Sequence, residues 1–350
     1  MLDISEIDKN FKVGSTIDKE GIKFYNAQSE PFCIYGLMYS DGAFHRIPTS
    51  LAKSVSERVE RLNYDTAGGR VRFKTDSPYV AISAKCFSLG RMPHFAFCGS
   101  IGFDLYDGER YVNTFVPSVD PKKEFESVVK IGEAKMREIT INFPLYTAVS
   151  ELYIGIDENS VVECPEKYSN QKPIVYYGSS ITQGGCASRP GTCYPAYISR
   201  RFNADYINLG FAGSARAEDE IIDYIKGMDM ELFVYDYDHN APTTDYLEAT
   251  HEKMFLAVRE KHPELPIIMM SRPLHKLNRT KSDNRRIEII KQTYENAIAR
   301  GDKNVYFLDG DDLTELCGNE GTVDNCHPTD FGFASMARAL ISLIEREKLL

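Results

Sequence analysis

The stretch PIVYYGSSITQGG, residues 173–185, places two serine hydroxyls directly after an apolar run. Ligands of open parallel sheets bind beyond the carboxyl ends of the strands, so Ser179 and Ser180 are candidate nucleophiles. Either serine could instead cap the turn that follows the strand. The stretch contains no G-x-S-x-G elbow, P-loop or G-x-G-x-x-G signature, so none of these three kinds of site is indicated.

Asp324 and His327 could supply the other groups that a serine nucleophile needs, a base and a group that orients the base. They lie three positions apart in TVDNCHPTDFG, after the apolar run VYFLD. At that spacing in a turn, the carboxylate can accept the imidazole N–H and leave the other ring nitrogen facing the serine. A lone histidine is more often a packed or solvated side chain, but its position beyond another candidate strand favours the catalytic interpretation.

Gly213 and Asn240 are candidate donors to the oxyanion that forms during acyl transfer. Gly213 lies in INLGFAGSAR and can present a backbone N–H with no side chain in the way. Asn240 lies in VYDYDHNAP and can present an amide N–H. Taken singly, each residue indicates only a turn or a loop. Four strand ends that offer a nucleophile, two donors and an Asp–His pair together predict an acyl-transfer site.

These groups can meet only if their strands lie in one sheet, and the second half of the chain predicts such a sheet. Its candidate strands are almost continuously apolar, as strands covered by helices on both faces are. They are residues 174–178, 206–210, 232–236, 267–271 and 305–309. Amphipathic stretches such as EDEIIDYIKGM and DNRRIEIIKQTYENAIAR lie between them. The pattern predicts a parallel α/β domain over residues 166–350.

The first half of the chain, residues 1–165, shows short alternating strands instead. In GGRVRFKTDSPYVAISAKC, apolar residues alternate on either side of an Asp-Ser-Pro break. Asp107 and Gly108 form a tight-turn signal, and further strands are expected around residues 139–143 and 152–156. Helical periods are nearly absent from this half. The pattern predicts an antiparallel β-sandwich or jelly-roll domain.

Four stretches resemble the motif blocks of the SGNH hydrolases, also called GDSL-type esterases. GSSITQG is similar to the first block, NLGFAG to the second, HN to the third and DNCHP to the fifth. The resemblance covers roughly residues 170–350 and implies a flavodoxin-like α/β fold with about five parallel strands. It also implies site residues in three roles: the nucleophile Ser180, the oxyanion donors Ser180, Gly213 and Asn240, and the pair Asp324 and His327.

Two positions depart from the family pattern. The aspartate expected before the nucleophile is Ser179 here, which leaves open which serine attacks and how the loop is held. The family's nucleophile stands two positions after the glycine, which favours Ser180. The third block lacks its usual glycine, so the donor role of Asn240 rests on its position in the chain.

The stretch GFDLYDG, residues 102–108, is similar to a G-x-D-L-Y signature of β-rich domains that precede some SGNH esterases. Those two-domain proteins include carbohydrate esterases that remove acetyl groups from plant polysaccharides such as mannan or xylan, or from their oligosaccharides. The resemblance therefore implies a serine esterase that deacetylates carbohydrates through an acyl-enzyme. An acyltransferase with the same residues and a glycan-binding protein with a weakened site are the alternatives. Without Trp, stacking on sugars would use Tyr or Phe.

Composition argues against several other classes. A net charge of −10 without a long Lys/Arg run argues against a nucleic-acid partner, and no segment approaches the ~20 apolar residues of a membrane helix. The first residues show no secretory signal, so a cytoplasmic protein is expected. The eight cysteines form no CxxC pair and are interpreted as free buried thiols. No metal or organic cofactor is expected, and the expected partner is a small-molecule or oligosaccharide ester substrate.

The role of the β-rich half follows from where the candidate groups lie. Residues 173–350 contain every one of them, so the first half is expected to be unnecessary for ester cleavage itself. Substrate selection is its expected contribution, because pockets form preferentially where domains meet. The alternative is that it merely covers apolar surface.

Overall fold

The structure, a computed structural model, describes residue 17 and residues 19–350. The N-terminal stretch in which no secretory signal is expected lies outside the described residues. The chain divides into two compact units, each assembled from separate segments. The first comprises the described residues up to His45, Tyr64–Lys167 and Arg189–Gly191, and the second comprises Arg46–Asn63, Tyr168–Ser188 and Thr192–Leu350. The main division, after residue 167, lies near the boundary expected after residue 165.

The first unit is built mainly from two antiparallel sheets. Its strands are β1 (Ile22–Asn26), β2 (Cys33–Tyr35), β3 (Met38–Ser40), β4 (Ala43–His45), β5 (Arg70–Thr75), β6 (Tyr79–Ser88), β7 (Phe103–Asp107), β8 (Arg110–Phe115), β9 (Glu124–Lys130), β10 (Arg137–Asn142), β11 (Ala148–Asp157) and β12 (Val162–Glu163). One sheet has the order β1-β11-β6-β9. The other has the order β12-β5-β10-β7-β8, with β2 also paired to β5, and β3 pairs with β4.

Both sheets contribute alternate residues to one hydrophobic core, as in a sandwich. The fully buried members include Val71, Phe73, Ile139 and Ile141 from one sheet and Val80, Ile82, Ile154 and Ile156 from the other. Gly108 in the turn between β7 and β8 has a φ of 58°, which glycine adopts without strain. The predicted antiparallel β-rich domain is confirmed, and its jelly-roll form stays a prediction.

The G-x-D-L-Y stretch lies at β7, where its aspartate is fully buried. The carboxylate of Asp104 accepts hydrogen bonds from Nδ2 of Asn142 at 2.7 Å and from the N–H of Gly191 at 2.8 Å. It also pairs with Nη1 of Arg189 at 3.0 Å. A Cβ atom on Gly191 would lie 2.4 Å from the hydroxyl oxygen of Tyr106, so this position needs a glycine. The stretch therefore has a structural role, which is to hold residues 189–191.

The second unit combines a parallel sheet with helices. Its strands are β13 (Ile174–Gly178), β14 (Tyr206–Gly210), β15 (Leu232–Asp236), β16 (Ile267–Met270) and β17 (Val305–Leu308). The α-helices, in chain order, are α1 (Thr49–Val55), α2 (Glu57–Asn63), α3 (Phe97–Ser100), α4 (Ser180–Gln183), α5 (Tyr194–Phe202), α6 (Asp219–Lys226), α7 (Thr244–Lys261), α8 (Lys281–Ala299), α9 (Gly310–Leu313) and α10 (Asp330–Glu347). Helix α3 lies in the first unit and the others lie in the second.

The parallel sheet has the order β14-β13-β15-β16-β17, which is the flavodoxin-like order 2-1-3-4-5. Tyr177 packs in one core with the apolar faces of α6, α7 and α8, whereas the ring of Tyr176 lies 5.5 Å from that of Tyr194 in α5. Successive strand residues point to opposite faces, so helices cover both faces of the sheet. The predicted α/β fold is confirmed, with each strand within one residue of its predicted bounds.

Residues 46–63, called here the helical arm, belong to the second unit although they precede most of the first. Four apolar residues of the arm are buried in the core of the second unit: Ile47, Ala52, Val59 and Leu62. The expectation that helices are nearly absent from the first half is therefore wrong for the arm. A fragment of residues 173–350 would therefore lack part of the α/β core, while the expectation that the first half is unnecessary for ester cleavage stays a prediction.

The eight cysteines are free thiols, as the sequence predicts. They are not uniformly buried, since Cys164 is exposed while Cys86, Cys193 and Cys317 are buried. Within the described residues, no helix combines the length and the apolar character needed to cross a membrane.

Candidate active site

The loop after β13 begins with a glycine that the neighbouring strand requires. A Cβ atom on Gly178 would lie 1.6 Å from Oδ1 of Asp236, the last residue of β15. Ser179 follows as the N-cap of α4, and its hydroxyl oxygen accepts the N–H of Ile181 at 3.1 Å. Ser179 is fully buried, whereas Ser180, the first residue of the helix, is half-buried. The capping position therefore belongs to Ser179.

Asp236 is a buried carboxyl group that contacts the serine loop. The hydroxyl of Thr182 donates to Oδ1 of Asp236, and it also lies 3.1 Å from the hydroxyl of Tyr194. Burial raises the pKa of Asp236 to about 8, although the hydrogen bond from Thr182 and the backbone N–H of Ser179 oppose the rise. The loop that has a serine in place of the family's aspartate is thus held by a carboxyl group of the adjacent strand.

Ser180, His327 and Asp324 form a continuous chain of hydrogen bonds. Oγ of Ser180 lies 2.9 Å from Nε2 of His327, and Nδ1 of His327 lies 2.8 Å from Oδ2 of Asp324. A proton held on Nδ1 by Asp324 fixes the tautomer in which Nε2 accepts the serine proton. This arrangement can activate a hydroxyl nucleophile by general-base catalysis.

Hydrogen bonds within the chain shape the turn that contains Asp324 and His327. Oδ1 of Asp324 accepts the N–H groups of Cys326 at 3.1 Å and of His327 at 2.7 Å. The N–H of Val323 donates to the carbonyl oxygen of His327 at 2.9 Å. Burial favours the neutral form of Asp324, but the hydrogen bonds from His327 outweigh it and lower the pKa. A spacing of three residues therefore suffices to pair the carboxylate with the imidazole.

Gly213 and Asn240 follow β14 and β15 and belong to loops that contact the serine loop. The N–H of Phe211 donates to the carbonyl oxygen of Gly178 at 2.8 Å, and Nδ2 of Asn240 donates to the carbonyl oxygen of Phe211 at 3.0 Å. A side-chain amide has two N–H groups, so Nδ2 keeps a second one for a ligand. Gly213 has a φ of 68°, a conformation that favours glycine. Both candidate donors thus lie in loops that follow the strand ends and are linked through Phe211 to Gly178, the residue before the serines.

Gln183 and Asn208 connect the first two loops, and sequence reasoning did not single them out. Oε1 of Gln183 accepts the N–H of Ala212 at 3.1 Å, and Nδ2 of Asn208 donates to the carbonyl oxygen of Thr182 at 2.8 Å. Both side chains are fully buried. The sequence does contain a sign of each residue. Asn208 is a polar residue inside the otherwise apolar run YINLG, and Gln183 lies in GSSITQG, the stretch that contains the two serines.

Cys326 connects the turn of His327 to the loop that contains Asn240. Its sulfur lies 3.0 Å from Nε2 of His239. Burial opposes ionisation of the thiol, but hydrogen bonds to His239 and His327 outweigh it and lower the pKa of Cys326 to about 6. The hydrogen bond to Cys326 raises the pKa of His327 to about 9, and Asp324 adds to the rise against the effect of burial. The candidate base is therefore more basic than an isolated histidine.

This turn contains side chains of the kinds that bind metal ions. The carboxylate oxygen of Asp324, the sulfur of Cys326 and a ring nitrogen of His327 lie within 4.8 Å of one another. The hydrogen bonds described above account for this closeness. The cluster is therefore interpreted as part of the proton-transfer site.

Two family models match the sequence. Residues 171–345 match the model described as the GDSL-like Lipase/Acylhydrolase family. Residues 22–162 match the model described as GxDLY, the N-terminus of SGNH hydrolase-type esterases. None of the curated proteins compared with the chain matches it.

Solved structures share the fold over most of the chain. A protein from Bacteroides ovatus ATCC 8483, described as a GDSL-like lipase, is 27% identical with a TM-score of 0.82, covering 93% of this chain and 97% of its own. The salicylyl-acyltransferase SsfX3 from a tetracycline biosynthetic pathway is 19% identical with a TM-score of 0.77, covering 95% and 99%. An acetyl xylan esterase from the rumen bacterium Butyrivibrio proteoclasticus is 12% identical with a TM-score of 0.59, covering 93% and 98%. At these low identities, the similarity to the acyltransferase and to the acetyl xylan esterase concerns the fold alone.

Proposed function

The chain belongs to the GDSL-like lipase/acylhydrolase family, and we propose that it is a serine esterase that removes O-acetyl groups from carbohydrates. The observation that supports the chemistry is the hydrogen-bond chain from Ser180 through His327 to Asp324, at 2.9 and 2.8 Å. A nucleophile, a base and an orienting carboxylate at such distances are the parts that acyl transfer requires.

In the first half-reaction, Oγ of Ser180 attacks the ester carbonyl carbon and its proton moves to Nε2 of His327. Asp324 accepts the hydrogen bond from Nδ1 and stabilises the imidazolium. The oxyanion accepts hydrogen bonds from the N–H groups of Ser180 and Gly213 and from Nδ2 of Asn240. The tetrahedral intermediate then collapses, the bond to the alcohol breaks, and the alcohol leaves with the proton from His327.

In the second half-reaction, water attacks the acetyl group on Ser180. His327 removes one proton from the water, and the same donors stabilise the second oxyanion. Collapse breaks the bond to Oγ, returns the proton to Ser180 and releases acetate. The site is then ready for another ester.

Two comparisons support an acetylated carbohydrate as the substrate. The first unit matches the domain that precedes SGNH hydrolase-type esterases. A solved structure of an acetyl xylan esterase also shares the fold over 93% of this chain. Tyr and Phe, which number 21 and 19 in a chain without Trp, would supply the stacking surface for sugar rings.

A second candidate function is transfer of the acyl group to an alcohol in place of water. The likeness in fold to a salicylyl-acyltransferase favours it. The two reactions share the acyl-enzyme and differ only in what attacks it. The third alternative, a glycan-binding protein without activity, is disfavoured by the hydrogen-bonded Ser180, His327 and Asp324.

The test is acetate release from a panel of acetylated xylan and mannan oligosaccharides, with p-nitrophenyl acetate as a simple ester. The wild-type protein should release acetate from at least one oligosaccharide with a higher kcat/KM than from the aryl ester, and Ser180→Ala should not. A parallel reaction with an alcohol acceptor separates the alternatives. Preferential acetylation of the acceptor would favour the transferase, and glycan binding without any acetyl release would overturn the esterase proposal.

A further inference from the structure

The helical arm contacts the loop of Gly213 through two arginines. Arg46 is buried, and its Nη1 donates to the carbonyl oxygen of Gly210 at the end of β14. Its guanidinium also lies over the ring of Phe211, 4.4 Å from the centroid. The arm is thus attached to the backbone immediately before the candidate oxyanion donor.

Arg58 of α2 continues this contact to the next peptide group. Its Nη2 donates to the carbonyl oxygen of Ala212 at 3.3 Å. A Cβ atom on Gly213 would lie 2.8 Å from the same nitrogen, so the guanidinium lies directly beside the candidate donor residue. Arg58 is exposed, and within the described chain this carbonyl oxygen is its one hydrogen-bond partner.

The peptide group between Phe211 and Ala212 shows how this loop is oriented. Its carbonyl oxygen accepts a hydrogen bond from Asn240, and its N–H donates in the opposite direction to Gln183. In a trans peptide group, the C=O and the following N–H point in opposite directions within one plane. Side chains thus hold both ends of this peptide.

We propose that Arg58 is a positioning residue that turns the N–H of Gly213 toward the oxyanion. By holding the carbonyl oxygen of Ala212 on the side of the arm, Arg58 directs the N–H of the same peptide to the other side. Among the described residues, no acceptor takes that N–H, which leaves it for a substrate. The inference rests on the proposed function, because it assigns the bound atom to a developing oxyanion.

Arg58→Ala tests this role against Arg61→Ala, which removes another exposed arginine of α2. With p-nitrophenyl acetate, Arg58→Ala should lower kcat by on the order of tenfold, because a misdirected donor loses part of its transition-state stabilisation. KM should change by less than about twofold, since the donor acts on the transition state. Arg61→Ala should match the wild type, and Arg58→Lys, which keeps a donor, should recover part of the loss.

A boronic acid that forms a tetrahedral adduct with Ser180 supplies a second readout. The boronic acid should bind Arg58→Ala more weakly than the wild type, by the same factor as the fall in kcat. The Tm of Arg58→Ala should stay close to that of Arg61→Ala. Equal kinetics for the two alanine variants would overturn the inference. It would also be overturned if Arg58→Ala lowered both kcat and Tm but bound the boronic acid as tightly as the wild type. Absence of ester hydrolysis by the wild type, which is measured first, would instead overturn the proposed function and the inference together.

Discussion

The hydroxyl groups of Ser179 and Ser180 have different partners although the two residues are adjacent. Oγ of Ser179 accepts the N–H of Ile181 at 3.1 Å, whereas Oγ of Ser180 lies 2.9 Å from Nε2 of His327. The difference arises at the start of α4, where Ser179 is the extended N-cap and Ser180 is the first helical residue. The backbone conformation therefore gives the two adjacent hydroxyl groups different partners.

We expect Ser180→Ala to abolish ester hydrolysis and Ser179→Ala to retain a measurable fraction of it. The first variant loses the nucleophile of the proposed mechanism, whereas the second loses one helix cap, which costs about 1 kcal/mol of folding free energy. The kcat for an aryl acetate and the thermal unfolding of both variants provide the check. If Ser179→Ala were the inactive variant, the assignment would be reversed.

His327→Ala should reduce kcat more than Asp324→Ala, by roughly a millionfold compared with roughly ten-thousandfold. A serine without its base loses proton transfer, whereas a base without its orienting carboxylate keeps some productive geometry. Asp324→Asn is the matched control because it keeps an acceptor for the backbone N–H groups of the turn. Equal and complete losses in folded variants would show that Asp324 does more than orient. If all of these variants kept full activity, the hydrolase proposal would be wrong.

The kcat/KM should rise with pH up to about 9, because His327 must be neutral to accept the proton of Ser180. The hydrogen bond to Cys326 raises the pKa of His327 to about 9, so at pH 7 roughly one molecule in a hundred has the neutral base. Cys326→Ser should move the inflection to lower pH and increase activity at pH 7. Cys164→Ser, at an exposed cysteine of the first unit, is the control. Superimposable profiles for Cys326→Ser and wild type would contradict the coupling.

Asp236→Asn should remove a pH dependence of stability. Burial raises the pKa of Asp236 in the folded protein to about 8, whereas an unfolded aspartate titrates near 3.9. Between these values the folded state binds more protons, so the free energy of unfolding falls by about 1.4 kcal/mol per pH unit as pH rises. Denaturant unfolding between about pH 4.5 and 6.5 should show this slope in the wild type and a smaller one in the variant. Identical slopes would show that Asp236 is ionised in the folded protein.

Asp104→Ala should destabilise the protein by about 3 kcal/mol, because it leaves the guanidinium of Arg189 and the amide of Asn142 without their buried acceptor. Asp229→Ala is the control, since it breaks an exposed pair with Lys172, at 3.2 Å, whose loss costs less than about 1 kcal/mol. Chemical denaturation of both variants measures the difference. Similar costs for the two would mean that the Asp104 contacts contribute no more than a surface pair.

The strands of the parallel sheet could be predicted nearly to the residue. A strand covered on both faces is mostly apolar, and 174–178, 206–210 and 232–236 have this character apart from Asn208 and Asp236. Candidate groups at strand ends could be predicted for a related reason, because all parallel strands present their carboxyl ends on one edge of the sheet.

The contacts between distant segments could not be predicted. The helices of the arm are seven residues each, which is too short for a helical period to stand out, and their partners lie more than a hundred residues later in the chain. The contact between Cys326 and His239 likewise depends on how two loops fold against each other. An isolated cysteine and an isolated histidine carry no sign of it in the sequence.

The helical arm also imposes an order on biosynthesis. A ribosome makes residues 46–63 before any strand of the parallel sheet exists, and the residues up to Lys167 that follow build the other unit. Translation adds roughly 5–20 residues per second, so the apolar sides of α1 and α2 have no sheet to cover them for several seconds. During that interval Ile47, Ala52, Val59 and Leu62 lack the core that buries them in the folded protein. The α/β unit can finish folding only after β14, which follows the arm by more than a hundred residues, reaches these first-made helices.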